Sequence, residues 1–214
     1  MVATQSIPTT IAERNALPDT PQRYPGSLEQ YSELLDIVSY PLEYIDQSII
    51  ALSYATELHE EMVGLIIGML LNLKRVDKAY RVLGSNHLVY NEHRKGNFQP
   101  DVLIIRGPSL TELIGKTKTA VRNPFMVVEI ISESSRSYDY GTKLPVYRAN
   151  PHLQYILYLE QESKEATLHI RVDASRWRSE DYTAEEGRFE VADITLDINS
   201  FYPELPSANT SETE

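Results

Sequence analysis

The chain has 214 residues, a net charge of −11 and no cysteine. Without cysteine it has neither a disulfide framework nor a thiolate metal site. The longest apolar run, residues 62–71, is ten residues long and too short to cross a bilayer. Residues 1–23 lack the basic and apolar regions of a secretory signal, so we expect a cytoplasmic protein.

The charge is unevenly distributed along the chain. Residues 1–73 carry a net charge of −8 and residues 123–214 carry −9, whereas residues 74–122 carry +6. A basic segment inside an acidic chain has two interpretations: a solvated surface, or a contact surface for a polyanion such as nucleic acid. By charge alone we favour the solvated surface.

The first predicted elements follow a segment without periodicity. Residues 1–27 are rich in Pro, Thr and Gln and are predicted to be a poorly ordered tail, as are residues 205–214. Between them we expect one domain, residues 28–204. Residues 27–40 show a helical pattern, and residues 42–53 predict a hairpin around Asp46 and Gln47.

The strongest helical signal covers residues 55–75. Its apolar stripe is formed by Leu58, Met62, Leu65, Ile66, Met69 and Leu73. Gly64 and Gly68 are expected to allow close packing. A short helix is predicted over residues 142–150, and strands are predicted over residues 87–90, 101–105, 125–131, 155–159, 167–172, 176–182, 188–191 and 194–198. Strands flanked by helices predict an α/β or α+β domain around one central mixed β-sheet.

Residues 125–131, FMVVEII, hold a single glutamate, Glu129, inside an apolar strand. Both faces of this strand are apolar, so we expect it to be central and covered on both sides. Glu129 therefore needs a cation, hydrogen-bond donors or a raised pKa. Asp101 opens the strand 101–105, and Lys143 lies on the predicted helix. If the two strands pair, the two carboxylates can share a divalent metal of the Mg²⁺ or Mn²⁺ type.

Each of these residues also has a structural interpretation. Asp101 can simply accept a turn hydrogen bond, and Lys143 can be a solvated helix residue. Glu129 can be a core carboxylate paired with Lys143 or an arginine. Asp139 can cap a helix or support the site. His59, at the start of the long helix, is more often a packing or capping group than a ligand.

The motifs resemble the PD-(D/E)xK nuclease superfamily and, within it, the Uma-type restriction endonuclease family. In chain order they are LEYIDQS (42–48), LHEEMVGLIIGMLLNL (58–73), PDVLII (100–105), VVEIIS (127–132), YDYGTK (138–143) and YILYL (155–159). The resemblance covers residues 28–204 and implies a restriction endonuclease-like fold. The superfamily's lysine usually follows the glutamate by two positions, where this chain has Ile131. Gln47 stands where the family's hairpin usually has Gly.

The resemblance implies that Asp101 and Glu129 ligate Mg²⁺ or Mn²⁺, with the backbone carbonyl of Ile130 as a further ligand. Lys143 would take the displaced role of the superfamily's lysine, and His59 and Asp139 would support the site. Contacts to the DNA backbone are predicted for the basic side chains of residues 106–122, a predicted loop: Arg106, Lys116, Lys118 and Arg122.

The expected function is therefore a metal-dependent endonuclease that hydrolyses phosphodiester bonds, with double-stranded DNA as its substrate. A homodimer is implied by the resemblance, because cutting both strands needs two sites. The alternative is a catalytically silent nucleic-acid-binding or assembly module with the same fold.

Overall fold

A computed structural model describes residues 6–203 of the chain. The strands within this range are β1 (Gln22–Pro25), β2 (Leu42–Ile45), β3 (Ser48–Ala51), β4 (Tyr80–Gly84), β5 (Leu88–Asn91), β6 (Gly96–Phe98), β7 (Val102–Arg106), β8 (Thr111–Ile114), β9 (Lys118–Val121), β10 (Met126–Ile131), β11 (Tyr155–Glu160), β12 (Glu165–Arg171), β13 (Trp177–Thr183), β14 (Arg188–Val191) and β15 (Ile194–Asp197). The α-helices are α1 (Ile11–Asn15), α2 (Leu28–Leu35), α3 (Glu57–Leu70), α4 (Leu73–Val76), α5 (Arg136–Tyr138) and α6 (Leu144–Ala149). A π-helical turn spans Asp139–Lys143, and a 3₁₀ turn spans Ile198–Phe201.

The strands form two large sheets and one hairpin. The six-stranded sheet has the order β13-β12-β11-β10-β7-β4, and the seven-stranded sheet has the order β1-β3-β2-β6-β5-β9-β8. Each sheet is mixed, because β10 pairs with β11 and β5 pairs with β9 in parallel, while the other pairs are antiparallel. The α+β class with a mixed sheet and flanking helices is confirmed. The division into two large sheets was not predicted.

The six-stranded sheet is covered on both faces, as its apolar central strand requires. Met126, Val128 and Ile130 of β10 pack into a core shared with α3 and the β14–β15 hairpin. Val127 and Ile131 pack into a second core shared with α6 and the seven-stranded sheet. Every residue of β10 is buried, so the prediction of a central strand is confirmed. Glu129 points to the second face, between the two sheets.

The N-terminal segment is folded where the structure describes it, so the predicted tail is wrong for residues 6–27. Strand β1 pairs with β3 along the edge of the seven-stranded sheet. Arg14 of α1 is buried and donates hydrogen bonds to the backbone carbonyls of Ala51, Pro18 and Thr20. A charged side chain and a sheet edge hold this segment in place, and neither contact leaves a periodic signal. The predicted tail at 205–214 lies outside the described residues.

Helix α3 packs a different stripe from the predicted one. Its buried residues are Met62, Val63, Ile66 and Leu70. Leu58 and Leu65, predicted to be part of the stripe, are exposed. Because residues 62–71 are apolar on almost every side, the sequence allows more than one stripe. A Cβ atom added at Gly64 or Gly68 would meet nothing within 4 Å, so close packing at these glycines is also wrong within this chain.

Two further segments differ from expectation. Residues 106–122, predicted to be a loop, form the end of β7 and the antiparallel hairpin of β8 and β9. The helix predicted at 142–150 begins earlier, because α5, the π turn and α6 run on with helical torsions at the joining residues. Pro145 therefore lies inside a helical segment, two residues after the wide turn that interrupts its regular hydrogen bonding. Within residues 6–203, no helix is long and apolar enough to span a membrane.

Candidate active site

The pairing of β7 with β10 brings Asp101 beside Glu129. The two strands are antiparallel, with Val102 opposite Val128. Asp101 directly precedes β7, and its Oδ2 accepts a 2.7 Å hydrogen bond from the backbone N–H of Ile130. The sequence expectation that these strands are neighbours is therefore met, and the Asp101 carboxylate lies against the peptide that follows Glu129.

The helical segment 136–149 carries the lysine to the same place. Lys143 Nζ lies 2.6 Å from Glu129 Oε1 and 3.5 Å from Asp139 Oδ1. Tyr147 also donates a 2.6 Å hydrogen bond to Glu129 Oε1. Asp139 and Lys143 are the first and last residues of the π turn, a type of irregularity that is frequent at functional sites. The lysine, displaced from the superfamily's usual position, thus reaches Glu129, and Asp139 contacts the same ammonium.

A third glutamate, Glu43, belongs to this cluster and was missed in the sequence. It is fully buried on β2, and its Oε1 lies 3.4 Å from Lys143 Nζ. Oε1 also accepts a 2.8 Å hydrogen bond from the backbone N–H of Gln99, and Oε2 accepts a 2.6 Å hydrogen bond from the Tyr138 hydroxyl. The sequence did contain a signal for Glu43. It is a single carboxylate among the apolar residues Leu42, Tyr44 and Ile45, just as Glu129 is in its own strand.

The cluster holds more negative than positive charge. Burial raises the pKa of Glu129 well above its ordinary value, and the charge of Lys143 opposes this only in part. Burial also raises the pKa of Asp139, to about 6. Burial by itself would lower the pKa of Lys143, but Glu129, Glu43 and Asp139 outweigh it, so this pKa is raised and the side chain stays an ammonium. One ammonium faces three carboxylates, and the site would be stabilised by a further cation or proton.

His59 contacts Asp101 from the first turn of α3. Thr56 caps this helix by accepting a hydrogen bond from the His59 backbone N–H, and the His59 ring places Nε2 3.2 Å from Asp101 Oδ2. Burial lowers the pKa of His59, but its hydrogen bond to Asp101 and the charge of that carboxylate together raise it above the ordinary value. His59 therefore orients the Asp101 carboxylate, together with the backbone N–H of Ile130.

These side chains lie on an open cleft of about 1140 Å³. Asp101, Glu129, Ile130, His59, Asp139 and Lys143 all line it. The acidic side chains on its wall outnumber the basic ones: Asp19, Glu60, Asp101, Glu129, Glu133, Asp139 and Glu162, against Lys118 and Lys143. All the predicted metal-binding and catalytic residues are thus brought into one cavity, and that cavity is acidic.

Of the four basic residues predicted to contact DNA, Lys118 is the one that lines the cleft. Arg106 lies at the far end of β7 from Asp101, where its guanidinium is 3.1 Å from Asp77. Arg122 is paired with Glu92 at 2.5 Å. Lys116 and these two arginines do not line the cleft, because the segment 106–122 is divided between the end of β7 and the β8–β9 hairpin instead of forming one loop.

The donor atoms at the site fit a hard divalent cation that keeps part of its water shell. Asp101 uses Oδ2 and Glu129 uses Oε1 for the contacts above, which leaves Asp101 Oδ1 and Glu129 Oε2 without a hydrogen-bond partner among residues 6–203. In the same range no three His, Asp or Glu side chains form a ready-made metal cage. Two carboxylates and several waters suit Mg²⁺, which dehydrates reluctantly.

Comparison with known proteins places these features in a family. The Uma2 family model, described as "Putative restriction endonuclease", matches residues 28–199. The chain is 26% identical over 151 residues to the uncharacterized protein sll1609 of Synechocystis sp., covering 70% of this chain and 83% of that protein. It is 28% identical over 155 residues to slr1290 of the same organism, covering 72% and 78%.

The fold has a counterpart among solved structures. The crystal structure of a putative nuclease from Anabaena variabilis matches with a TM-score of 0.61 and 14% identity, over 91% of this chain and 97% of that one. At this identity the match shows a shared fold. With a family model that covers most of the chain, it leads to one conclusion: this chain belongs to the Uma2 family of putative restriction endonucleases, and that membership supports a nuclease-like function.

Proposed function

We propose that the protein is a Mg²⁺- or Mn²⁺-dependent endonuclease that hydrolyses phosphodiester bonds in double-stranded DNA and acts as a homodimer. The observation that carries the hydrolase proposal is the meeting of Asp101, Glu129 and Lys143 in one open cleft. Family membership supports the reaction class. The cytoplasmic location expected from the sequence stays a prediction.

The proposed metal would be held by Asp101 and Glu129, with the Ile130 carbonyl as a further ligand. When bound, it would supply Lewis-acid polarisation of a phosphate oxygen and a lower pKa for a coordinated water. His59 and the Ile130 N–H hold the Asp101 carboxylate in position.

The remaining residues of the cluster act on Lys143. In the proposed reaction, its ammonium offsets the negative charge that develops on the phosphate in the transition state. Glu43 and Asp139 flank Nζ at 3.4 and 3.5 Å and keep it charged and aimed at the cleft. Glu43 is therefore a positioning residue in this proposal. Lys118, on the cleft wall, is the proposed contact to the DNA backbone.

The first test is nicking of supercoiled plasmid DNA by the purified protein with Mg²⁺ or Mn²⁺. Asp101→Asn removes a metal-binding charge without changing the side-chain size, and we expect it to lower the nicking rate by more than about a hundredfold. Asp77→Asn is the matched control, because Asp77 is paired with Arg106 away from the cleft. Nicking that survives Asp101→Asn would contradict the proposal and indicate a contaminating nuclease.

The alternative, a catalytically silent nucleic-acid-binding or assembly module, is favoured by the acidic wall of the cleft. Titration calorimetry with Mg²⁺ separates the two. The endonuclease is expected to bind the ion in the wild type and to lose most of that binding in Asp101→Asn. A wild-type protein that binds no divalent ion would favour the silent module.

A further inference from the structure

The exposed face of α3 combines three leucines with two glycines. Leu58, Leu65 and Leu71 are 37%, 37% and 46% exposed, although the opposite face of the same helix is fully packed. Between these leucines lie Gly64 and Gly68, where an added Cβ would meet nothing within 4 Å. The middle of this face is therefore apolar, open and shallow, and its charged side chains lie toward the two ends.

The charges along this face are separated by sign. Its N-terminal end carries the exposed Glu57, Glu60 and Glu61. Its C-terminal end continues through α4, because Leu71 and Asn72 keep right-handed helical torsions, and carries the exposed Lys74 and Arg75. Within residues 6–203, Glu57, Glu61, Lys74 and Arg75 form no ion pair, and the contact of Glu60 is with His59.

We propose that this face, residues 57–76, is the interface of a two-fold homodimer in which α3 packs antiparallel against α3 of a second copy. A parallel arrangement would set the acidic ends against each other, whereas the antiparallel one sets acidic against basic. With the two-fold axis beside residue 66, Gly64 faces the second copy's Gly68, and Glu57 faces its Arg75. The glycines let the helix axes approach, and the leucines lose their exposed area on both sides.

This interface deepens the homodimer of the proposed function by assigning its surface, and it does not depend on catalysis. A single antiparallel helix pair lies at the low end of stable interface sizes, so the dimer should dissociate on dilution. The N-terminal turn of α3 also lines the cleft through Thr56, His59 and Glu60. The two clefts of the dimer would therefore lie near opposite ends of the paired helices, about 20 Å apart along their axis.

The test is the molar mass of the full chain by sedimentation equilibrium over a range of concentrations. We expect the wild type to approach twice the monomer mass and Leu65→Glu to stay monomeric. Leu113→Glu is the control, because Leu113 on β8 is an apolar residue that is even more exposed than Leu65, and this variant should leave the dimer intact. Asp101→Asn should also leave the molar mass at that of the wild type. A failure of the nuclease proposal and a failure of the dimer proposal can therefore be distinguished.

Charge reversal tests the antiparallel register. Arg75→Glu should weaken the dimer at least about fivefold, since two like-charge contacts replace two attractive ones. Glu57→Lys in the same chain should restore the dimer. A wild type that stays monomeric overturns the proposal, as does a Leu65→Glu variant that dimerises normally. A double variant that remains as weak as Arg75→Glu overturns the register and with it the assigned face.

Discussion

At the scale of single residues, a lone carboxylate in an apolar strand was the most informative feature of the sequence. Glu129 was expected to need compensation, and it is paired with Lys143. Glu43 has the same sequence signal and shares the same lysine. The interpretation of Glu129 as a buried carboxylate paired with Lys143 is confirmed, and the same residue lines the cleft, while its role as a metal ligand stays a proposal.

The surplus of carboxylates leads to a prediction for Asp139. Its pKa is raised from 3.8 to about 6 in the folded protein, chiefly by burial. Stability that is fully present below pH 3.8 is therefore lost as the pH rises through about 6, and at pH 7 the ionised group opposes folding. Asp139→Asn should raise the free energy of unfolding of the metal-free protein by about 1–2 kcal/mol at pH 7, and by little at pH 4.

Urea denaturation at both pH values measures this effect. Asp193→Asn is the control, because Asp193 is exposed. We also expect Asp139→Asn to lower the nicking rate, as is common where a site is held in an unfavourable electrostatic state. If Asp139→Asn stabilises the protein as much at pH 4 as at pH 7, or does not stabilise it at pH 7, the Asp139 carboxylate is not the source of the unfavourable charge.

A second buried titratable group, His169 on β12, lies outside the cleft. Its Nδ1 is 2.7 Å from Ser179 Oγ and 3.1 Å from Arg148 Nη2, and its ring packs edge-on against Tyr158. Burial, and then the charge of Arg148, lower its pKa from 6.5 to about 4, although Asp181 opposes them. The unfolded chain takes up a proton near pH 6.5 that the folded chain takes up only near pH 4.

Acidification from pH 6.5 to 4 should therefore cost stability through His169, by up to about 3 kcal/mol. In His169→Gln this part of the pH dependence should disappear. The comparison is urea denaturation of the wild type and the variant at pH 7 and pH 4.5. If the two proteins lose the same stability between these pH values, His169 does not titrate as its surroundings indicate.

At the scale of elements, the β2–β3 hairpin shows why a departure from a family pattern matters locally. The predicted turn at Asp46 and Gln47 is confirmed, and both residues have positive φ, 48° and 58°. A two-residue turn of this kind requires that region at both positions, which side chains disfavour and glycine accepts. Gln47 stands where the family usually has Gly, so the backbone of this chain is strained at that position.

Gln47→Gly should raise the free energy of unfolding by about 0.5–1 kcal/mol. Glycine removes the steric cost of the left-handed backbone in the folded state, and this gain exceeds the entropy that glycine adds to the unfolded chain. Gly115→Ala is the opposing control. Its φ is +74°, and the new Cβ would lie 3.0 Å from the Ser32 carbonyl, so it should destabilise. Thermal or urea unfolding of both variants gives the comparison. Destabilisation by Gln47→Gly would mean that its side chain stabilises the turn.

The N-terminal segment shows how an element without periodicity can still shape the site. Asp19, Thr20 and Pro21 line the cleft, and Asp19 accepts a 3.2 Å hydrogen bond from Ser134 in the loop after β10. This segment precedes the matched family region, which begins at residue 28. One wall of the cleft is therefore built by a part of the chain that lies outside the family match.

At the scale of the whole molecule, electrostatics would limit how the proposed endonuclease holds DNA. The net charge is −11, and the cleft wall is acidic. The basic segment 74–122 does not form one patch at the cleft, since Arg106 and Arg122 are paired with acids elsewhere. Binding should therefore use few phosphate contacts and depend on a bound cation for much of its attraction.

This leads to a shallow salt dependence of DNA affinity. Asp101→Asn is the background for this test, because cleavage is expected to be blocked in it. Since this variant should also lose most of its Mg²⁺, the salt slope then reports the phosphate contacts of the side chains. We expect log K to fall with log salt at a slope of magnitude about 1–2, and Lys118→Ala to reduce that magnitude by about 0.9. Arg106→Ala should leave it unchanged. Fluorescence anisotropy with a labelled duplex measures the slopes. If Arg106→Ala, and not Lys118→Ala, reduces the magnitude of the slope, the DNA binds to another surface.

From the sequence alone came the β2–β3 hairpin, the strands β7, β10 and β11, the long helix and the candidate residues Asp101, Glu129 and Lys143. Hairpin turns and the alternation of apolar and polar residues in strands depend on residues that are neighbours in sequence, so local patterns reveal them. A carboxylate inside an apolar strand is equally visible, because its burial follows from its neighbours.

Only the tertiary structure decided which face of α3 is packed, that Arg14 anchors the N-terminal segment, and that Glu43 reaches Lys143. It also decided that Lys118 faces the cleft while Arg106 and Arg122 do not. Each of these outcomes depends on which distant segments of the chain meet. Apolar patterning specifies that a surface is buried, but the partner that buries it, and the charges that this partner brings, are set by the packing of the two sheets.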